Sequence, residues 1–223
     1  MMNNYTEFLF RSYPLFAQGM WMTIKLVISA SIISLILGVI FGSASSKRLK
    51  IRGFSALIET VTFIFRSVPF YVQLLIAYFV LPTLLKIDLS PFLASTFALG
   101  ICSSAYVCQI IRSGINAIPA TQWESAFSLG YGLFSTLRTI IFPQVLRNVL
   151  PALNNELEAL LKSTAIAASI GLLELTRMGM NLVSREMMPI EVYLTLALFY
   201  LCLSGLFQSL SRYFERRLCN VKN

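Results

Sequence analysis

Two sets of residues in this 223-residue chain have types and spacings that could do chemistry. The first sits in apolar surroundings. Asn154, Glu158 and Lys162 recur every four residues, so on a helix they stack along one face, and Ser169 continues the stripe approximately. Glu158 precedes Lys162 in the favourable order for an i,i+4 ion pair. Arg66 and Gln73 stand seven residues apart and look the same way on a helix, with Pro69 freeing a backbone carbonyl between them. Charges at membrane depth are costly and face a bundle interior or a wet cavity. Six fall in or near apolar segments: Lys25, Glu59, Arg66, Glu156, Glu158 and Lys162. Such groups either lock a helix bundle or line a polar path.

The second set lies in ESAFSLGYGLFSTLRTIIFP (124–143), between apolar runs. Pro119 ends the preceding helix and restricts Ile118 before it. Thr121 then stands three residues before Glu124, the spacing of a capping box. A helix from Thr121 to about Leu129 is expected, closed by a left-handed turn at Gly130. Leu133 to Phe142 is expected to form a second short helix, with Phe134, Leu137 and Ile141 on one side and Pro143 as its stop. On local physics alone Glu124 only caps and Gly130 only turns. Exposed Trp123 and Phe127 on so compact a helix point further, to a soluble partner with a matching groove.

The elements that position these groups are membrane spans. Hydrophobic residues make up 57% of the chain and charged residues 13%, against about 25% charged in ordinary soluble domains. Uncharged segments of about 20 residues are long enough to cross a hydrocarbon core of about 30 Å. Spans are expected at about 14–44, 56–84, 91–114, 149–173 and 189–210, with a non-spanning region at 115–148. The first is too long for a cleaved signal peptide. Cys102, Cys108, Cys202 and Cys219 form no C-x-x-C pair, and the chain has no histidine to complete a metal site. Cys102, Cys108 and Cys202 lie in apolar stretches and read as small hydrophobes.

Loop charges orient the spans. The loop at 45–53 holds Lys47, Arg48, Lys50 and Arg52 with no acid; the 112–148 region is net +2 and the C-terminal tail, with Arg212, Arg216, Arg217 and Lys222, is net +3. The alternate segments are neutral or net −1. Five spans with the N-terminus outside and the C-terminus in the cytoplasm satisfy this alternation, whereas an even number breaks it. The net charge of +8 therefore reflects basic cytoplasmic loops, not nucleic-acid binding.

The chain resembles the membrane permease subunits of ATP-binding-cassette importers. Their cytoplasmic loop carries Glu-Ala-Ala, three residues, Gly, nine residues, then Ile-x-Leu-Pro. Here Glu124, Ser125, Ala126, Gly130, Ile140, Phe142 and Pro143 occupy those positions, with Ser125 and Phe142 as departures. RSVPFYVQLLIAYF (66–79), SAYVCQIIRSGINAIPATQWESAFSLG (104–130), FPQVLRNVLPALNNE (142–156) and KSTAI (162–166) resemble the polar amino acid branch. The family's Gly-Thr-Pro-Leu-x-x-Gln stretch appears with Ser67 and Val68 as departures. Many such permeases have Glu where Gln109 stands, and Lys-Asp-Thr-Ser where Lys162, Ser163, Thr164 and Ala165 stand. A missing carboxylate at 109 implies either cation recognition by a partner subunit or a different substrate.

The resemblance implies an all-α membrane protein with the type I importer permease fold, a permease domain at 19–211, an extracytoplasmic tail at 1–18 and a basic cytoplasmic tail at 212–223. It implies a bacterial inner-membrane location. The partners implied are a pair of cytoplasmic ATPases that hold ATP and Mg²⁺, a second permease subunit (a copy or a paralogue), an extracytoplasmic amino acid binding protein, and lipid. The chain has no G-x-x-x-x-G-K-[ST] motif to cradle phosphates, so it binds no nucleotide cofactor and is not the hydrolase. ATPase coupling would fall to Glu124, Ser125, Ala126, Gly130 and Pro143, on a helix within 121–132. The substrate path would use Arg66 or Lys162 for an α-carboxylate and Gln73 and Gln109 for hydrogen bonds, with Glu158 and Thr164 beside them. A polar or basic amino acid, arginine first, is the expected substrate. A self-sufficient ion-driven carrier is the rival, disfavoured by an odd span count and no visible inverted repeat; a non-transporting membrane scaffold is a third reading. Ser34, Gly38 and Gly42 form a small-xxx-small series that reads as close helix packing.

Overall fold

The computed structural model describes residues 2–49 and 53–219, and every element in them is helical. Lys50, Arg52 and Lys222, counted above among the basic loop charges, lie outside the described residues. Helix α1 (Met2–Ala44) runs to 43 residues and carries a membrane-length segment at Phe10–Ala44. It begins well before Pro14, so the stretch expected as a tail is helical. Two further helices are long and apolar enough to span: α5 (Pro91–Asn116) and, within α10 (Pro189–Cys219), the segment Pro189–Tyr213. α10 also runs beyond the expected end near residue 210, so most of the basic tail continues the helix.

The remaining two spans are broken, and proline accounts for one of them. α2 (Phe54–Ser67) ends at Val68 in extended backbone, and α3 (Phe70–Leu75) starts with Pro69 as its N-cap. The pair bends by 101°. A single helix through Pro69 was expected; instead the ring, which cannot donate to the preceding turn, ends α2 outright. α3 continues through a wide π turn (Ile76–Val80) into α4 (Leu81–Leu85), which closes on Lys86 in a left-handed conformation.

After α5 comes the short helix α6 (Ala120–Ser128), then α7 (Leu133–Thr136). A π turn at Leu137–Ile141 leads directly into α8 (Phe142–Ser163). Pro143 therefore starts α8 and does not stop a separate helix; the wider turn before it removes the need for its missing N–H. α8 tightens into a 3₁₀ turn at Thr164–Ile170 and closes on Gly171 at φ +82°. That change of pitch ends the four-residue stripe before Ser169. A 49° bend leads to α9 (Leu175–Glu186), capped by the buried Glu174 carboxylate, which accepts from the Thr176 and Arg177 N–H groups and from the Tyr200 hydroxyl.

α1 and α5 make the most extensive contact between any two of the described helices. A Cβ on Gly38 would lie 2.4 Å from Val107, and one on Gly100 would lie 2.8 Å from Ile33. The small-residue series thus serves packing within the chain. Cys102 and Cys108 are buried and Cys202 is exposed, all as free thiols.

Candidate functional site

The short helix α6 is held from its apolar side. Trp123 is only 1% exposed and joins Ile111 and Ile115 of α5, Ile118 just after it, Ile141 of the π turn, and Val145 and Val149 of α8. The sequence expectation of an exposed Trp123 is therefore corrected. Its indole fills the angle between two spans and pins α6 to both. Phe127 (47% exposed) and Leu129 (76%) do face outward, beside a shallow surface formed with Thr121, Glu124, Ser125 and Ser128. Ala126 is buried under the helix.

The expected capping box does not form. Pro119 is the N-cap, which places Thr121 inside the first turn and leaves no side-chain cap bond. The Glu124 carboxylate instead lies 3.9 Å from the Arg48 guanidinium, an exposed pair of little energetic weight. The C-terminal reading holds. Gly130 has φ +82°, its N–H donates to the Phe127 carbonyl, and the Tyr131 N–H donates to the Ala126 carbonyl. These are the two bonds of a Schellman end, which glycine permits without strain. Phe134, expected on the same side as Leu137 and Ile141, is 75% exposed while Ile141 is buried.

The second site is a cavity of ≈ 420 Å³ where α2 breaks from α3 beside α5 and α8. Arg66, Ser67 and Pro69 line it from the break, Cys102, Ser103 and Tyr106 from α5, and Glu156 and Ser163 from α8. The volume falls within the roughly 300–1,000 Å³ typical of small-molecule sites. Its wall carries a guanidinium, a carboxylate and several hydroxyls, so it can hold a solute bearing both charges. Arg66 Nε donates to the Thr62 carbonyl, which steadies the base of its guanidinium. Ser103 Oγ donates to Glu156 Oε1 at 2.6 Å.

Of the residues named from sequence for a polar path, this cavity gathers only Arg66. Gln73 is absent from the cavity wall: its Nε2 donates to the carbonyls of Phe65 and Val68, each at 2.7 Å. It caps the broken end of α2, and it borders an apolar crevice on the other side. Gln109 is half-buried on α5 and is not part of the cavity wall. Glu158 and Lys162 form the expected ion pair at 3.7 Å, with the Lys162 side chain 68% exposed. Glu158 and Asn154 line a different, polar crevice against Gln208, Arg212 and Glu215 of α10. Thr164 is buried, and its hydroxyl donates to the Leu161 carbonyl.

Glu156 and Ser103 are what sequence reasoning missed. Glu156 was visible as an intramembrane charge, and small Ala159 and Ser163 at i+3 and i+7 mark the same face. The regular Asn154–Glu158–Lys162 stripe drew attention to the neighbouring one.

Broken spans around a polar cavity, with a short helix pinned at one end, define a type I importer permease. The chain belongs to the family of binding-protein-dependent transport system inner membrane components, which matches residues 34–219. This family comprises transport permease subunits and not catalytic enzymes, and it operates in the bacterial inner membrane with an ATPase and a binding protein. The arginine transport system permease protein ArtQ of Bacillus subtilis is 35% identical over 205 residues, covering 92% of this chain and 93% of the relative. The putative glutamine transport system permease protein GlnP of Rickettsia felis is 34% identical over 190 residues, covering 84% of each. The crystal structure of an amino acid ABC transporter with histidines superposes with a TM-score of 0.84 at 34% identity, covering 94% of this chain and 96% of that one. The MetNI methionine transporter, at 16% identity and a TM-score of 0.79, supports the fold alone.

Proposed function

We propose that this chain forms the membrane path of an ATP-driven amino acid importer, with the Arg66–Glu156 cavity as the path and α6 as the contact to a separate ATPase. The carrying observation is that one cavity wall holds both a guanidinium and a carboxylate. A free amino acid presents an α-carboxylate and an α-ammonium. Arg66 suits the first, and Glu156 suits the cationic side chain of a basic amino acid. Similarity to permeases named for arginine and for glutamine supports a polar or basic amino acid. The carboxylate in the wall favours arginine.

ATP and Mg²⁺ would be held by the partner ATPase pair, not by this chain. Glu124, Ser125, Phe127 and Leu129 present the docking surface, Gly130 ends it, and Ala126 and Trp123 anchor it beneath. Force received there passes through the Trp123 core to the cytoplasmic end of α5 and the start of α8. Pro143 stands at that start, and both helices also wall the cavity. A second permease subunit, a copy or a paralogue, would complete the path, with a binding protein above and the N-terminus outside.

The test is uptake by proteoliposomes containing the whole complex and its binding protein. Arg66→Ala should abolish arginine uptake while the subunits still co-purify. Wild-type uptake by that variant would remove the cavity from the path.

A further inference from the structure

Ser103 ties the cavity to the rest of the bundle. It is 6% exposed on α5, donates to Glu156 Oε1 of α8 at 2.6 Å, and accepts from Ser34 Oγ of α1 at 2.9 Å. Ser34 is itself 2% exposed. Ser103 and Glu156 also border a second, largely apolar crevice of ≈ 310 Å³ between α1, α5 and α8. Their bond is thus part of the partition between two spaces. A serine hydroxyl has one proton. With Ser34 donating to Ser103, that proton goes to the carboxylate, which fixes Oε1 as an acceptor. A glutamate side chain free to rotate would lose rotamer freedom on engaging a ligand. One already held does not, and it gains affinity by preorganisation.

We propose that Ser103, backed by Ser34, is a positioning residue that holds the Glu156 carboxylate as acceptor for the cationic side chain of a transported basic amino acid. It thereby sets the preference for cationic over neutral amino acids. This rests on the reading of the cavity as the amino acid path.

The experiment is equilibrium binding of radiolabelled arginine and glutamine to the purified permease–ATPase complex without binding protein, so that the permease's own selectivity is read. Freeing the carboxylate restores the ordering cost that the held side chain avoids, so Ser103→Ala should weaken arginine binding by about tenfold. Glutamine should change by less than about twofold, the small effect expected away from a named interaction. Ser103→Thr, which keeps the hydroxyl, should restore the preference, and Ser34→Ala should show a smaller loss in the same direction. In a Glu156→Gln background, Ser103→Ala should cost nothing further, because the two act on one interaction. If Ser103→Ala does not assemble, Ser103→Cys, which keeps a side chain of similar shape with only a weak donor, carries the same expectation.

The proposal is overturned if Glu156→Gln removes the arginine preference while Ser103→Ala and Ser103→Cys keep it; the cavity reading then survives alone. If wild-type complex binds neither amino acid, or Arg66→Ala and Glu156→Gln leave binding unchanged, the cavity reading falls and takes the proposal with it.

Discussion

α6, the proposed docking helix, and the cavity, the proposed path, are assembled in opposite ways. α6 is a local object: nine residues, a proline at one end and a glycine at the other, fixed by one indole in an apolar angle. The cavity is a distributed one, with its guanidinium from α2, its carboxylate from α8 and its hydroxyls from α2, α5 and α8. The docking surface is therefore sensitive to what holds it, whereas the cavity is sensitive to what its side chains offer. A permease needs both. The part that receives force must be stiff and anchored, and the part that meets solute must be polar inside a lipid-facing shell.

That contrast can be broken most severely at Trp123. Trp123→Ala should cost about 3–5 kcal/mol by emptying the core under α6. The ATPase should then fail to co-purify, although arginine still binds the cavity of the isolated permease. A complex that stays intact with Trp123 removed would show that α6 is not held this way. Next in size is Glu156→Gln, which should weaken arginine binding about tenfold or more while ATPase co-purification is unchanged. A loss of assembly without a loss of affinity would invert the comparison.

Gln73→Leu sharpens the boundary between the two kinds of site. It leaves the Phe65 and Val68 carbonyls without their amide donor, a cost of about 1–3 kcal/mol. Thermal stability in detergent should drop while amino acid affinity stays within about twofold. An affinity loss with unchanged stability would return Gln73 to the cavity. The smallest effect is expected from Arg48→Ala. It removes only an exposed pair to Glu124, worth at most about 1 kcal/mol, so uptake should remain within about twofold of wild type. A large loss there would mean that the pair is part of the docking contact.

The same contrast explains what could be read from sequence. Gly130 was legible because a left-handed helix end is a local requirement that glycine alone meets cheaply. The spans were legible because length and apolarity are properties of single segments, though Pro69 was expected inside a helix that in fact ends there. Trp123 was misread because its burial depends on α5 and α8 converging, with Ile111 and Val149 as its neighbours in space and not in sequence. Ser103 and Glu156 are 53 residues apart, and no periodicity pairs them. The Asn154–Glu158–Lys162 stripe did form its ion pair, but Asn154 and Glu158 line a crevice against α10 and none of the three lines the cavity.

The most direct test of the account is a Gly130→Ile variant assayed twice in the same reconstituted complex, for arginine binding to the cavity and for ATP-driven uptake. A β-branched side chain at φ +82° strains the turn that ends the docking helix and places bulk beside the docking surface. The predicted result is normal binding with uptake reduced to the level without ATP. ATP-driven uptake at the wild-type rate would contradict the claim that force enters this chain through α6.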